Sequence, residues 1–168
     1  RVNGVSVQNG ALSTYTTSAL VNGNTVDVIV TNASGCTGTS GVITMTVNAN
    51  PVAGLTSSDG DNIICAGESV TFTGSGGTNY EFFVDGTSVQ NGAGTTYVTT
   101  GLLNGQVVTV EVSNASGCST TSAGITTTVN ANPVASIVSN DADNIICAGT
   151  SVTFTGAPTA TNYNFRVN

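Results

Sequence analysis

The sequence contains no histidine, no tryptophan and no lysine, and its only basic residues are Arg1 and Arg166. Without histidine, a Ser–His or Cys–His nucleophile and a histidine-containing zinc site are both excluded. Without a basic patch the chain cannot neutralise phosphates, so we expect no binding to nucleic acid. Charged residues make up only 7% of the chain, and the net charge is −7. Because the nine acidic residues are scattered, we expect no enzyme built on paired carboxylates.

Two further absences concern the membrane and the chain start. No apolar run approaches the ~20 residues that a membrane-spanning helix needs, so we expect no membrane span. No signal peptide is visible and Arg1 is not a natural start, which leads us to expect an internal fragment of a longer chain.

What the sequence does contain is a repeat. Residues 61–74, DNIICAGESVTFTG, recur at 143–156 with one change, and NASGC and VNANP recur at the same offset of 82 residues. A fixed long period is typical of an array of like units. We predict the C-terminal part of one repeat, a complete repeat and the N-terminal part of a third, at 1–50, 51–132 and 133–168. The last part matches with one residue inserted near Pro158.

Alternating apolar and polar residues predict short strands throughout the repeat. In 107–112, for example, Val108, Val110 and Val112 alternate with polar residues. The steps Asn3-Gly4 and Asp85-Gly86 predict two-residue type I′ hairpins. The predicted strands are 52–57, 69–74, 79–84, 87–91, 95–99, 107–113 and 124–130. Short strands with frequent turns indicate an all-β chain of tandem immunoglobulin-like, Greek-key β-sandwich repeats of about 82 residues.

The four cysteines occupy two fixed repeat positions and are Cys36, Cys65, Cys118 and Cys147. This pattern in a Thr/Ser-rich chain favours disulfides and an oxidising exterior, with buried free thiols as the alternative. In the predicted sandwich Cys65 and Cys118 lie at opposite ends, roughly 25 Å apart, whereas a disulfide needs Cα atoms within about 7 Å. We therefore favour pairing between repeats, Cys65 with a Cys36 equivalent and Cys147 with a Cys118 equivalent of the next segment. An intradomain Cys65–Cys118 bridge is the alternative.

Two other patterns have both a functional and a local interpretation. A D-x-D-N motif occurs at the same position of each copy, at Asp59, Asp61 and Asn62 and at Asp141, Asp143 and Asn144. Its oxygens can hold Ca²⁺, the one cofactor we consider, or can simply form Asx turns. Asn32 and Asn114 begin N-x-S sequences, which are glycosylation acceptors or turn residues.

Four motifs, D-N-I-I-C-A-G-x-S-V-T-F-T, Y-x-F-x-V-[DN], L-x-N-G-x-x-V-x-V and N-A-S-G-C, carry a resemblance. The chain resembles the tandem Ig-like or PKD-like repeats of large secreted surface proteins and adhesins in gliding and related Gram-negative bacteria. The resemblance covers essentially the whole chain. It implies export to the cell surface, a role as stalk, filament or adhesin, and no catalytic residues.

We accordingly expect a structural repeat segment of a long extracellular surface filament or adhesin stalk. Its partners are then neighbouring repeats of the same chain or fibre, with surface glycans or other cells as further candidates. The alternative is a carbohydrate-binding or spacer module of a secreted multidomain enzyme. That alternative needs a groove lined with aromatic residues, and the chain has only nine Tyr and Phe, several of them expected in the core.

Overall fold

The computed structural model describes residues 1–157 and 160–167, and within them every regular element is a β-strand. The N-terminal segment (residues 1–50) contains β1 Thr25–Val26, β2 Ile29–Thr31, β3 Thr37–Thr39 and β4 Ile43–Thr44. The C-terminal segment (residues 133–157 and 160–167) contains β15 Ile137–Ser139 and β16 Phe154–Gly156. The insertion predicted near Pro158 lies outside the described residues. The prediction of an all-β chain is confirmed.

The central segment (residues 51–132) contains ten strands. They are β5 Gly54–Ser57, β6 Ile63–Cys65, β7 Val70–Ser75, β8 Asn79–Val84, β9 Thr87–Gly92, β10 Thr96–Thr99, β11 Val107–Ser113, β12 Ser119–Thr121, β13 Ile125–Thr126 and β14 Thr128–Asn130. One sheet has the strand order β10-β7-β5, and a second has the order β12-β11-β8-β9, with β13 also paired to β11. This arrangement of antiparallel sheets is consistent with a β-sandwich.

The core of the central segment is built from one face of each long strand. On β11 the side chains of Val108, Val110 and Val112 are fully buried, while the residues between them are half-buried. The same alternation buries Phe72 on β7 and Phe82 on β8. Burial of each such side chain contributes roughly 1.5–3 kcal/mol, so these strands hold the two sheets together.

The hairpin between β8 and β9 has the predicted turn. Asp85 and Gly86 have φ values of 49° and 77°, which is the left-handed pair that a type I′ turn requires. The Asp85 carboxylate accepts a hydrogen bond from Val107 N at 2.9 Å. In the N-terminal segment Asn3 and Gly4 have φ values of 48° and 78°. Both predicted turns are therefore confirmed.

Two strands of the central segment were not predicted, and a third is divided. β6 pairs with β14 in parallel, with Asn130 opposite Cys65. β12 occupies part of the stretch predicted as a loop and pairs with β11. The strand predicted at 124–130 divides at Thr127, because β13 pairs with β11 whereas β14 pairs with β6.

Candidate functional site

The joint between the N-terminal and central segments is held by the turn that connects β11 to β12. Within this turn the side-chain oxygen of Asn114 accepts hydrogen bonds from Ser116 N at 3.0 Å and Cys118 N at 3.1 Å. The amide nitrogen of Asn114 reaches outward and donates to Ala49 O at 2.9 Å. One asparagine side chain therefore shapes its own turn and binds the backbone of the preceding segment.

Cys118 lies at the same joint. Its sulfur is 3.8 Å from the carbonyl oxygen of Asn48, the residue before Ala49. The side chain of Cys118 is half-buried. The cysteine of this turn thus faces the end of the preceding segment.

In the central segment, the carbonyl oxygen equivalent to that of Asn48 has further contacts. Asn130 occupies the repeat position of Asn48, and its carbonyl oxygen accepts a hydrogen bond from Ala66 N at 2.8 Å. Asn130 is also the register partner of Cys65. Asn132 adds a bond from its amide nitrogen to Ala66 O at 2.8 Å. The carbonyl at this position therefore lies beside a cysteine of its own repeat.

Each of these two joints places one kind of cysteine beside the same repeat carbonyl. At the first joint the shared carbonyl contacts a Cys118-type sulfur of the following segment. At the second joint the equivalent carbonyl lies beside Cys65 of its own segment. If both joints have the same geometry, a Cys65-type residue and the Cys118-type residue of the next repeat lie within a few ångströms. Sequence reasoning missed Asn48, Ala49 and Asn132, although VNANP recurs at the fixed offset.

All four cysteines are free thiols in the part of the chain that the structure describes. No disulfide is formed among the described residues, so the alternative bridge between Cys65 and Cys118 is absent. Cys36, Cys65 and Cys147 are exposed. Pairing with a neighbouring repeat involves residues beyond this chain and stays a prediction.

The acidic motif of the central segment forms a local turn. Asp59 Oδ1 and Asp61 Oδ1 both accept a hydrogen bond from Ile63 N, at 3.1 and 3.0 Å. Asn62 has a φ of 57° and a buried Oδ1 without a hydrogen-bond partner among the described residues. Across residues 1–157 and 160–167, no group of three or more His, Cys, Asp or Glu side chains is placed to hold a metal ion. Calcium at this motif stays a prediction.

The second acidic motif has the same backbone geometry. Asn144 has a φ of 57°, and Asp143 Oδ1 accepts a hydrogen bond from Ile145 N at 3.1 Å. This backbone bond, followed by a hydrogen bond with Asp141, lowers the pKa of Asp143. In both copies of the motif, aspartate carboxylates therefore accept hydrogen bonds from backbone amides.

The two glycosylation candidates differ in their surroundings. Asn32 is exposed, and its side-chain oxygen accepts bonds from Ser34 N and Cys36 N at 3.0 and 2.9 Å. Asn114 makes the same bonds but also uses its amide nitrogen at the joint. A glycan attached to Asn114 Nδ2 would crowd the bond that this nitrogen donates to Ala49 O, so a glycan and the joint contact compete. Glycosylation of either residue stays a prediction.

An ion pair joins Arg1 and Asp27 in the N-terminal segment. The Arg1 guanidinium donates hydrogen bonds to both carboxylate oxygens of Asp27, with Nε to Oδ1 at 3.1 Å. The hydrogen bond from Arg1 holds the pKa of Asp27 below its ordinary value, and the same bond raises the pKa of Arg1. Asp27 stands at the repeat position of Thr109, which pairs with Phe83 in the central segment.

An aromatic-lined cavity of about 610 Å³ lies on the C-terminal segment. Phe154, Tyr163 and Phe165 are among its lining residues. The Tyr163 and Phe165 rings stack with their centroids 6.3 Å apart. In the central segment the equivalent aromatic residues are core residues, so the cavity marks an uncovered core.

No known protein family model matches the chain, and no curated protein matches its sequence significantly. The described residues include no helix long and apolar enough to cross a membrane.

Proposed function

We propose that this chain is a structural repeat segment of a long extracellular surface filament or adhesin stalk, with immunoglobulin-like repeats joined end to end. The observation that carries this proposal is the joint, where Asn114 binds the backbone of the preceding segment through Ala49 O. A side chain that bonds across the joint limits bending there, which suits a mechanical role. Enzymatic activity is not part of this proposal.

The joints also support covalent pinning between repeats in an oxidising exterior. A Cys65-type thiol and the Cys118-type thiol of the following repeat lie close together if every joint repeats the observed geometry. Bond formation joins the two sulfurs, and the two electrons and two thiol protons pass to a disulfide of a thiol oxidoreductase, which is reduced to its dithiol. Such a bond carries tension across the joint, in parallel with the main chain.

The carbohydrate-binding alternative has less support. Its best candidate is the aromatic cavity on the C-terminal segment. However, Phe154 and Phe165 occupy the repeat positions of Phe72 and Phe82, which are completely buried in the central segment. The cavity is therefore better explained as an exposed face of core-type residues than as a sugar-binding groove.

The location and form of the native protein test this proposal. Antibodies against residues 51–132 are applied to intact cells of the source organism, followed by gold labelling and electron microscopy. We expect gold along fibres that project from the cell surface. Label that appears only after the cells are opened would contradict the proposal. Cells lacking the gene provide the control for specificity.

A further inference from the structure

A cleft of about 390 Å³ lies on the central segment, between the β8–β9 hairpin and the connection from β10 to β11. The hairpin supplies Asp85, β10 supplies Tyr97, and the connection supplies Gln106. Its volume is in the range of sites that bind small molecules or single side chains. All of its lining residues fall within 84–106, so the cleft is complete within the central segment.

The ionisable side chains of the central segment carry charge of one sign. Residues 51–132 contain six acidic residues and no lysine, arginine or histidine. The acidic residues are Asp59, Asp61, Glu68, Glu81, Asp85 and Glu111. Among the described residues, the one ion pair joins Arg1 and Asp27 of the N-terminal segment. A partner that complements the central segment electrostatically is therefore a cation.

Asp85 is the acidic residue that lines the cleft. Its Oδ1 accepts a hydrogen bond from Val107 N at 2.9 Å, and its Oδ2 accepts one from Gln106 Nε2 at 3.0 Å. Both donors are uncharged, so the negative charge of the carboxylate is not compensated by them. A carboxylate has about four lone-pair sites, so acceptor capacity remains after these two bonds. The exposed Asp85 carboxylate is thus fixed in position and free to accept from a ligand.

An aromatic ring lines the same cleft. Tyr97 is half-buried, and its ring packs on the core rings of Phe72 and Phe82, with centroid distances of 6.4 and 5.9 Å. These contacts hold the Tyr97 ring in place at the wall of the cleft. Aromatic rings attract ammonium groups, and a carboxylate forms strong hydrogen bonds with them. The two groups together therefore favour an organic cation.

We propose that this cleft binds a primary ammonium group, with the Asp85 carboxylate as the charged acceptor and the Tyr97 ring as the wall beside the alkyl chain. A lysine side chain of a partner protein and a free diamine share this chemistry. The inference goes beyond the proposed filament, because the cleft requires neither a joint nor a neighbouring repeat. In an array of repeats, several weak sites of this kind would bind a multivalent partner with avidity.

The N-terminal segment offers a natural comparison at the repeat position of Asp85. Asn3 stands there, with a φ of 48° where Asp85 has 49°. Asn3 Oδ1 accepts a hydrogen bond from Thr25 N at 2.9 Å, as Asp85 Oδ1 does from Val107 N. An asparagine therefore forms the same turn and the same backbone bond without the charge.

D85N consequently separates the charge of Asp85 from its role in the turn. The test is an NMR titration of the full chain near neutral pH in reducing buffer of low ionic strength, since salt screens exposed charges. The probe is Nα-acetyl-lysine methylamide, and Nα-acetyl-norleucine methylamide is its uncharged counterpart. We expect saturable shifts of the amides in 84–89 and 101–107 with the lysine probe and none with the norleucine probe.

The variants then assign the binding to the cleft. We expect D85N to weaken binding of the lysine probe about fivefold or more, since the ammonium group loses its charged acceptor. E111Q is the matched control, because it removes the same charge from a side chain that does not line the cleft. Its dissociation constant should stay within about twofold of the wild-type value, because distant exposed charges are screened. Circular dichroism checks that both variants are folded.

Putrescine distinguishes the two sources of the ammonium group. Tighter binding of putrescine than of the lysine probe assigns the cleft to a free diamine, and the reverse assigns it to a protein side chain. Either result supports the inference. Equal binding of the lysine and norleucine probes, no shifts in the cleft, or equal losses in D85N and E111Q would overturn it. Gold labelling of cells is independent of these titrations, so this inference and the proposed function can fail separately.

Discussion

Thr127 lies between the short strands β13 and β14, and its hydroxyl is buried without a hydrogen-bond partner among the described residues. The copy of this position in the N-terminal segment is Met45. An apolar side chain is therefore compatible with the backbone here. An unpaired buried hydroxyl costs roughly 1–3 kcal/mol.

We expect T127V to raise the free energy of unfolding by about 1 kcal/mol, because it removes that hydroxyl with little change in shape. Urea denaturation followed by circular dichroism measures the change. T128V at the exposed neighbouring position is the control and should change the stability by no more than about 0.5 kcal/mol. A destabilised T127V would show that the hydroxyl has a partner in solution.

Asp27 gives a second prediction at the scale of single residues. Its pKa is lowered by the hydrogen bond from Arg1. A carboxyl whose folded-state pKa is depressed stabilises the folded state above its unfolded pKa, roughly pH 4. This contribution is lost as the pH falls through the lowered pKa.

We expect NMR titration of the Asp27 carboxyl to give a midpoint below the ordinary value for aspartate. R1Q should move that midpoint upward, because the variant removes the charged donor. An Asp27 midpoint that is the same in both proteins would show that the ion pair does not persist in solution.

At the scale of elements, the long strands of the central segment were predictable and the short ones were not. β11 was predicted with its observed bounds, because three buried valines alternate with half-buried residues over seven positions. β6 was missed, because a three-residue apolar run shows no period and its parallel partner β14 lies far along the chain. The joint contacts of Asn114 and Cys118 were missed in detail, because a backbone carbonyl as partner leaves no mark in the sequence.

Phe82 and Phe165 occupy the same repeat position, but Phe82 is buried and Phe165 is exposed. We expect F82A to destabilise the central segment by about 3–5 kcal/mol, because it opens a cavity in a closed core. F165A should leave the stability of the monomeric chain within about 0.5 kcal/mol, because Phe165 is exposed. Thermal unfolding of both variants measures the difference. Equal losses would mean that Phe165 is already packed in a core.

The joint gives another prediction at this scale. N114D keeps the side-chain oxygens that hold the turn but removes the amide donor to Ala49 O. We expect faster hydrogen exchange in residues 48–52 and a loss of about 0.5–1.5 kcal/mol in stability. N32D is the control, because Asn32 makes the same turn bonds without a joint contact in the described part of the chain. Unchanged hydrogen exchange in N114D would show that the bond from Asn114 does not restrain the joint.

At the scale of the whole molecule, the proposed filament is a stiff array of repeats whose disulfides lie between repeats rather than inside them. We expect a thiol reductant to shorten the persistence length of the native filament while the melting temperature of its repeats stays the same. Electron micrographs and calorimetry of the same sample measure these two quantities. A lower melting temperature with unchanged bending would place the disulfides inside the repeats.

Imaging of the native material by cryo-electron microscopy tests the end-to-end array most directly. We expect threads of beads spaced roughly 40 Å apart, about the length of a seven-residue strand with its turns and joint. Isolated compact particles, with both end segments folded onto a single closed core, would contradict it.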